Sequence, residues 1–197
     1  MNIQLLYISV AVSLLFSFST NPDNWNFVEA KNEIQIYNRV DEQGKKWLRF
    51  STEIYAPMEE VIDYTSNVYM LTNWVYACQK TELYQETEQY TYYYTETDVP
   101  FPMTDRYALV QKEKIGDKTA DYFRTVSTNY MDKTIESKLV RVDDFKIIWN
   151  FEKINEYHTR VTYDLYSNAG LPGWLDEMVN KVGPVNSLLK LREQMSN

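Results

Sequence analysis

The sequence predicts an α+β fold that consists of one antiparallel β-sheet and a long C-terminal α-helix. Roughly six to nine strand-like segments follow one another about ten residues apart, a spacing typical of hairpin-connected strands. From about residue 170 onward the apolar residues recur at every third or fourth position instead, which indicates an amphipathic helix. A curved sheet cannot lie flat against one helix, so the space between them holds either side chains or a cavity.

The strands are predicted where β-branched and aromatic residues alternate with polar ones, because such side chains fit a half-buried sheet. The predicted strands are residues 34–37, 47–55, 80–85, 90–97, 107–112, 122–128, 136–142, 146–152 and 158–167.

Two helices are predicted beside these strands. Pro57, followed by acidic residues in the next turn, indicates the start of a helix over residues 57–66. The C-terminal helix begins near Leu171, and the Gly183-Pro184 pair predicts a kink within it.

Residues 1–20 are predicted to lie outside the folded domain, which spans residues 21–197. Residues 3–18 are almost wholly apolar and carry no charge, but the stretch is shorter than the roughly 20 residues that a membrane helix needs. The small residues Ser17 and Ser19 are compatible with cleavage by signal peptidase. We therefore expect a signal peptide and export to the periplasm or the extracellular space, with an uncleaved N-terminal membrane anchor or a structural helix as the alternatives.

Composition limits the class of partner and the kinds of site. The chain has 197 residues, which suits one domain, and a formal net charge of −8. Nucleic acid is not an expected partner, because binding it needs a concentrated basic surface. The single cysteine, Cys78, and the single histidine, His158, leave neither a disulfide nor a Cys/His metal cluster. We predict no cofactor and no metal, and we expect a monomer.

The most informative stretch is residues 89–111, QYTYYYTETDVPFPMTDRYALVQ. Its first half is rich in Tyr and Thr, which favour a strand. Pro100 and Pro102 then end the ladder of backbone hydrogen bonds. A rigid Pro-Phe-Pro corner therefore separates two strands, and Asp105 and Arg106 stand at the entrance of the second strand.

This corner is similar to the motif of a known family. VPFPMTDRYALV resembles the Pro-Phe-Pro-x-x-x-Arg-Asp signature of START lipid-transfer domains, especially their phosphatidylcholine-transfer branch. Tyr107 stands where the family usually has Asp after the Arg, and Asp105 precedes the Arg instead. A second match, Gly-x-Pro-x-Trp-Leu before an amphipathic helix, appears as GLPGWL at residues 170–175, with a spacing one residue tighter. The resemblance covers nearly the whole chain after the first 20 residues.

The resemblance implies a helix-grip fold, in which a curved antiparallel β-sheet wraps around the long C-terminal helix and the two enclose an internal hydrophobic cavity for one lipid or sterol. By position, Arg106 matches the arginine that contacts the lipid phosphate in the phosphatidylcholine-transfer branch, and a guanidinium suits phosphate oxygens. The alternative is a structural salt bridge between Arg106 and Asp105 or another acidic residue. The residues predicted to contact the ligand are Arg106, Tyr92, Tyr94, Phe101, Trp149, Tyr163, Leu171, Trp174 and Met178. Periodicity alone leaves open whether Tyr92 and Tyr94 or Tyr93 face inward.

The predicted function is the binding, with or without transfer, of a lipid or other hydrophobic ligand, through transient membrane contact. We expect the C-terminal helix and a loop at residues 128–134 to open at the membrane. No catalysis is predicted. One alternative is a small-molecule enzyme of the cyclase or hydrolase type on the same fold, with Glu96 and Asp98 as an acid–base pair. The other is an interaction module with a filled core, which would bind no ligand.

Overall fold

The computed structural model describes residues 24–195, apart from the side chains of Trp174, Glu177 and Met178. Its strands are β1 (Asn26–Lys31), β2 (Ile34–Val40), β3 (Lys46–Ile54), β4 (Cys78–Glu86), β5 (Tyr90–Thr97), β6 (Arg106–Ile115), β7 (Tyr122–Asn129), β8 (Val140–Arg141), β9 (Asp144–Asn155) and β10 (His158–Asn168). Its helices are α1 (Met58–Ser66), a 3-10 helix (Val68–Met70), α2 (Leu71–Trp74), α3 (Gly173–Glu177), a π-helix (Met178–Val182) and α4 (Gly183–Met195). The predicted leader, residues 1–20, lies outside the described residues.

All the strands belong to one sheet, in the order β1-β2-β3-β10-β9-β7-β6-β5-β4. The pairs along this path are antiparallel, and only the two-residue strand β8 pairs in parallel, with the start of β6. The chain passes from β3 to the opposite edge of the sheet through α1, the 3-10 helix and α2. These helices therefore lie across one face of the sheet, where α1 packs against β9 and β10.

The main hydrophobic core lies between this face and the helices. In α4, Val185, Leu188 and Leu191 are buried at a spacing of three residues, so they share one side of the helix. They belong to the same core as Phe50 of β3 and Phe151 of β9, which are fully buried. Burying each such side chain stabilises the fold by about 1.5–3 kcal/mol. The predicted α+β class, with a sheet wrapped around a C-terminal helix, is confirmed.

The predicted strand over residues 136–142 is wrong except at its end, where β8 forms. The chain before β8 instead covers the outer face of the sheet. There Ile135 and Leu139 pack against the buried side chains of Tyr107 and Leu109 from β6. Leu139, which lies within the predicted strand, therefore belongs to a loop, and this loop shields a second, smaller hydrophobic cluster.

The C-terminal helix is interrupted where the sequence predicted a kink. The π-helix ends at Val182, and α4 starts at Gly183, followed by Pro184, which has no backbone N–H to donate. A Cβ on Gly183 would sit 3.4 Å from the ring of Tyr76, so glycine allows a close approach here. Ser187 Oγ accepts a 2.9 Å hydrogen bond from the backbone N–H of Tyr76 and fixes that approach. None of the described helices is long and apolar enough to cross a membrane.

Candidate ligand-binding cavity

An internal cavity of about 220 Å³ lies between the sheet and the helices. Strands β5, β6, β9 and β10 supply most of the sheet side with alternate residues, as the two-residue period of a strand requires, and Cys78 of β4 and Ser127 of β7 add to it. The alternate residues are Tyr93, Thr95 and Thr97 of β5, Arg106, Ala108, Val110 and Lys112 of β6, Phe145, Ile147 and Trp149 of β9, and Tyr163, Leu165 and Ser167 of β10. The helical side is formed by Leu71 and Trp74 of α2 and by Pro184 and Leu188 of α4. The position between sheet and C-terminal helix matches the predicted internal cavity.

The register of β5 against β6 decides which tyrosines face the cavity. Tyr93 lies opposite Val110, and both residues line the cavity. Tyr92 and Tyr94 therefore point to the outer face, and their predicted place in the cavity is corrected. On that face Tyr92 lies 4.8 Å from the ring of Tyr130, and Tyr94 belongs to the outer hydrophobic cluster.

Phe101 is also outside the cavity, which corrects its predicted role as a lining residue. Its side chain is 93% exposed in the loop between β5 and β6, residues 98–105. From the same loop, buried Val99 lines the cavity, and its backbone N–H donates a 3.0 Å hydrogen bond to Asp105 Oδ1. The loop therefore borders the cavity while presenting one large aromatic ring to the outside.

Arg106 is the first residue of β6 and is only 6% exposed. Its Nε donates a 3.1 Å hydrogen bond to the carbonyl oxygen of Ala169, and its Nη1 donates to the carbonyl oxygen of Thr104. The predicted alternative, a salt bridge with Asp105, does not form, since that carboxylate accepts from Val99. Because a guanidinium has five N–H donors, Arg106 keeps donors for a ligand. We call this part of the cavity the Arg106 end.

Lys112 lies six residues further along the same face of β6 and is 5% exposed. Its Nζ donates a 3.4 Å hydrogen bond to the carbonyl oxygen of Thr65 in the last turn of α1. The same Nζ lies 5.4 Å from the centre of the Tyr93 ring. Burial lowers the pKa of Lys112 to about 8, since the charged form loses its hydration. We call this part of the cavity the Lys112 end.

Aromatic side chains form much of the wall between the two ends. Trp149 lies 4.5 Å from the ring of Tyr163 and 5.7 Å, edge-on, from that of Trp74. Burial raises the pKa of Tyr163 and of Tyr93, so both hydroxyls stay neutral at physiological pH. The Nε1 of Trp74 is buried and has no hydrogen-bond partner in the part of the chain that the structure describes. This indole N–H is therefore a further hydrogen-bond donor at the cavity wall, in addition to the side chains of Arg106 and Lys112.

The charge of the lining is one-sided. Among the described residues, no Asp or Glu lines the cavity, whereas Arg106 and Lys112 both do. This cavity therefore carries positive charge inside a chain whose formal net charge is −8. Its chemistry suits a mainly apolar ligand that brings hydrogen-bond acceptors or a negative charge.

The predicted ligand-contact residues divide into three groups. Arg106, Trp149, Tyr163 and Leu171 line the cavity. Tyr92, Tyr94 and Phe101 do not, and the side chains of Trp174 and Met178 lie outside the described part of the structure. That any of these residues contacts a ligand stays a prediction. The sequence analysis missed Lys112, although its even spacing from Arg106 on one strand was a usable signal.

Glu96 and Asp98, the predicted alternative acid–base pair, and His158, the single histidine, are not among the residues that line the cavity. The Tyr94 hydroxyl donates a 2.6 Å hydrogen bond to Glu96 Oε1 on the outer face, and Asp98 is exposed. His158 Nε2 lies 3.1 Å from Glu53 Oε2 at the start of β10. In residues 24–195, no group of three or more His, Cys, Asp or Glu side chains could hold a metal ion.

Solved structures with this architecture include lipid-transfer proteins. The STAR-related lipid transfer protein of Xanthomonas axonopodis matches with a TM-score of 0.76 at 20% identity, covering 89% of this chain and 100% of that chain. Human StAR-related lipid transfer protein 5 matches with a TM-score of 0.77 at 13% identity, covering 90% of this chain and 88% of that chain. The chain has the START fold.

The START fold of this chain is also similar to that of an enzyme. The Zhui aromatase/cyclase of a Streptomyces species matches with a TM-score of 0.57 at 12% identity, covering 76% of this chain and 93% of that chain. An uncharacterised protein of Pseudomonas aeruginosa is 23% identical over 195 residues, which is 95% of this chain and 96% of the relative. No family model matches the chain. These likenesses establish the START fold, and the ligand has to be argued from the cavity.

Proposed function

We propose that the protein binds a lipid or other hydrophobic ligand in its internal cavity. The observation that carries the proposal is the lining, which combines apolar walls with cationic donors at Arg106 and Lys112 and, among the described residues, no carboxylate. Burying apolar ligand surface contributes about 25 cal/mol per Å². The donors then orient the ligand, because leaving them unpaired costs free energy. Similarity to proteins named for lipid transfer supports the same ligand class.

The ligand is proposed to enter at the Arg106 end. Two irregular segments border that end, the loop at residues 98–105 and the segment at 169–172 before α3, and Val99 and Leu171 from them line the cavity. Exposed Phe101 supplies an apolar contact for a membrane beside this entrance. Transfer of the ligand would begin there, with the loop and the start of the C-terminal helix moving apart.

This assignment replaces the loop that the sequence analysis expected to open. Residues 128–134 include Tyr130, whose ring lies against Tyr92 on the outer face of the sheet, and Lys133, whose Nζ lies 3.1 Å from the centre of the Tyr84 ring. These contacts hold the segment on the side of the sheet opposite the cavity. We therefore propose residues 98–105 as the moving loop.

We propose no catalytic step in the cavity. Similarity to an aromatase/cyclase keeps the fold compatible with an enzyme. However, Glu96 and Asp98 lie outside the lining, and the remaining groups offer donors without an acid–base pair. A cavity of about 220 Å³ also argues against an interaction module with a filled core.

Native mass spectrometry of the full chain, purified without detergent from a lipid-containing host, tests the proposed function. We expect one additional mass per protein molecule, and organic extraction should release it as a lipid or other hydrophobic compound. Protein that carries no ligand and also fails to take up the neutral dye Nile red would contradict the proposal. The same spectra report whether the protein is a monomer, which we also propose.

Export remains a proposal that rests on the sequence. Residues 3–18 are apolar and uncharged, and Ser17 and Ser19 suit a cleavage site. N-terminal sequencing of the protein recovered from the periplasm or the medium should find a start at about residue 20. Recovery of the intact chain from the membrane fraction would favour the anchor instead.

A further inference from the structure

Lys112 is a buried cation whose hydrogen bonding is incomplete. Its Nζ has one hydrogen-bond partner among the described residues, the carbonyl oxygen of Thr65 at the long distance of 3.4 Å. The ring of Tyr93 lies 5.4 Å away, and Ser127 stands opposite on β7. A helix-end carbonyl and a ring face compensate for only part of the hydration that a buried ammonium loses.

The charged groups around Lys112 are engaged elsewhere. On β4, Glu86 Oε1 accepts a 2.8 Å hydrogen bond from Lys114 and a 3.3 Å hydrogen bond from the Thr91 hydroxyl. Tyr93 on β5 stays neutral, because burial raises its pKa. Burial and then the like charge of Lys114 lower the pKa of Lys112 to about 8, against the opposing effect of Glu86. Most Lys112 side chains are therefore charged at pH 7.

Lys112 and Arg106 differ in how many hydrogen bonds their side chains make to the protein. They lie on the same face of β6, six residues and thus about 20 Å apart along the strand. Arg106 already donates to two backbone carbonyls, whereas Lys112 has a single long contact. An apolar ligand end beside Lys112 would leave its charge without an anion, which is costly in a dry site. A carboxylate in that place forms a charge-assisted hydrogen bond instead.

We propose that Lys112 binds the carboxylate of a single-chain amphiphilic acid, which enters the cavity head first and lays its chain along the wall toward Arg106. This inference rests on the proposed function and names its ligand class. The cavity volume of about 220 Å³ is below the roughly 300–1,000 Å³ of pockets for drug-sized ligands. The cavity therefore suits one hydrocarbon chain better than two.

Displacement of Nile red from the full chain by hexadecanoic acid and by hexadecanol tests the inference. The two competitors share a chain and differ in the head, so their ratio isolates the contribution of the carboxylate. At pH 7 we expect the acid to bind the wild type about 10- to 100-fold more tightly than the alcohol. Lys112→Met should abolish this preference and Lys112→Arg should retain it. The control Lys146→Met removes an exposed lysine that lies on β9 between the lining residues Phe145 and Ile147, and it should leave the preference unchanged.

The wild type alone provides a second readout that does not depend on how a variant folds. Between pH 7 and pH 9.5 the bound acid stays ionised while Lys112 loses its proton. The preference for the acid should therefore fall about tenfold over this range. A preference that persists in Lys112→Met, or that does not change with pH in the wild type, would overturn the inference. Failure of the wild type to bind Nile red, together with no bound ligand in its native mass spectrum, would overturn the proposed function itself.

Discussion

Arg106 Nε donates a 3.1 Å hydrogen bond to the carbonyl oxygen of Ala169, and so joins the first residue of β6 to the segment that leads into α3. Its Nη1 donates to the carbonyl oxygen of Thr104, in the loop that carries Phe101. One side chain thus holds both segments that border the Arg106 end of the cavity. Arg106 therefore has a positional role in addition to its proposed contact with the ligand.

Replacing Arg106 by Met is expected to loosen this end while the sheet stays folded. The variant leaves the carbonyls of Thr104 and Ala169 without their donor, so the free energy of unfolding should fall by about 1–3 kcal/mol. The ligand should also leave faster, which Nile red release measures alongside urea unfolding. Arg160→Met is the matched control, since its ion pairs are exposed and should contribute about 1 kcal/mol or less. Equal effects of the two substitutions would contradict the positional role.

Replacing Ala108 by Phe is expected to fill the cavity. Ala108 lines the wall of β6 opposite Thr95, so the added ring occupies part of the space that a ligand needs. Nile red affinity should fall at least about tenfold, with a packing cost of about 1–3 kcal/mol. The control Gln111→Phe places the same ring on the outer face of the same strand and should bind normally. Unchanged binding by Ala108→Phe, measured by fluorescence titration, would place the ligand elsewhere.

The fold could be predicted because its signals are local and repeated. Alternation in β3 and β10 and the three- and four-residue spacing in α4 each identify an element without knowledge of its neighbours. The segment at residues 136–142 shows the limit of such signals. Leu139 fits the predicted strand, but together with Ile135 it packs on the outer face through contacts with β6 that no local pattern encodes.

The lining of the cavity could be predicted only in part, because it depends on the register between strands and on which segments pack over each face of the sheet. In β5 both faces carry Tyr and Thr, so a shift of one residue exchanges two chemically similar sets. Pairing with β6 turns Tyr93 inward, and on the other face the ring of Tyr92 packs against Tyr130 of the loop after β7. In the sequence Lys112 alternates with acidic and basic neighbours as on a solvated strand. Its burial depends on tertiary contacts that the sequence does not reveal, with Thr65 of α1 and with the ring of Tyr93 on β5.

The stability of the unliganded protein should depend on pH through Lys112. Burial lowers the pKa of Lys112 from its ordinary value to about 8. Above that pH the folded state releases a proton that the unfolded state keeps until about pH 10.4. The unfolded state then binds more protons, so this contribution to the free energy of unfolding increases with pH, by at most about 1.4 kcal/mol per pH unit.

Urea unfolding of the wild type and of Lys112→Met between pH 7 and pH 9.5 isolates that contribution. The variant should be more stable than the wild type at pH 7, because it buries no charge, and its advantage should shrink as the pH rises. Tyr93 and Tyr163, whose pKa values are raised by burial, act in the opposite direction only above about pH 10 and are common to both proteins. Parallel pH profiles for the two proteins would show that Lys112 does not titrate in this range.

Replacing Phe101 by Ser is expected to slow ligand exchange with membranes without changing stability or affinity. The ring is 93% exposed beside the Arg106 end, so its loss removes no folded contact but weakens contact with the bilayer. Transfer of a fluorescent lipid from neutral phosphatidylcholine vesicles should slow about tenfold, the effect of leaving one large apolar side chain in water. The control Tyr157→Ser removes a ring that is 71% exposed in the turn before β10. This turn precedes the start of β10, whereas the segment that borders the Arg106 end follows the end of that strand. Transfer by Phe101→Ser at the wild-type rate would show that the loop at residues 98–105 is not the membrane contact. Equal slowing by both variants would show that the effect is not specific to that loop.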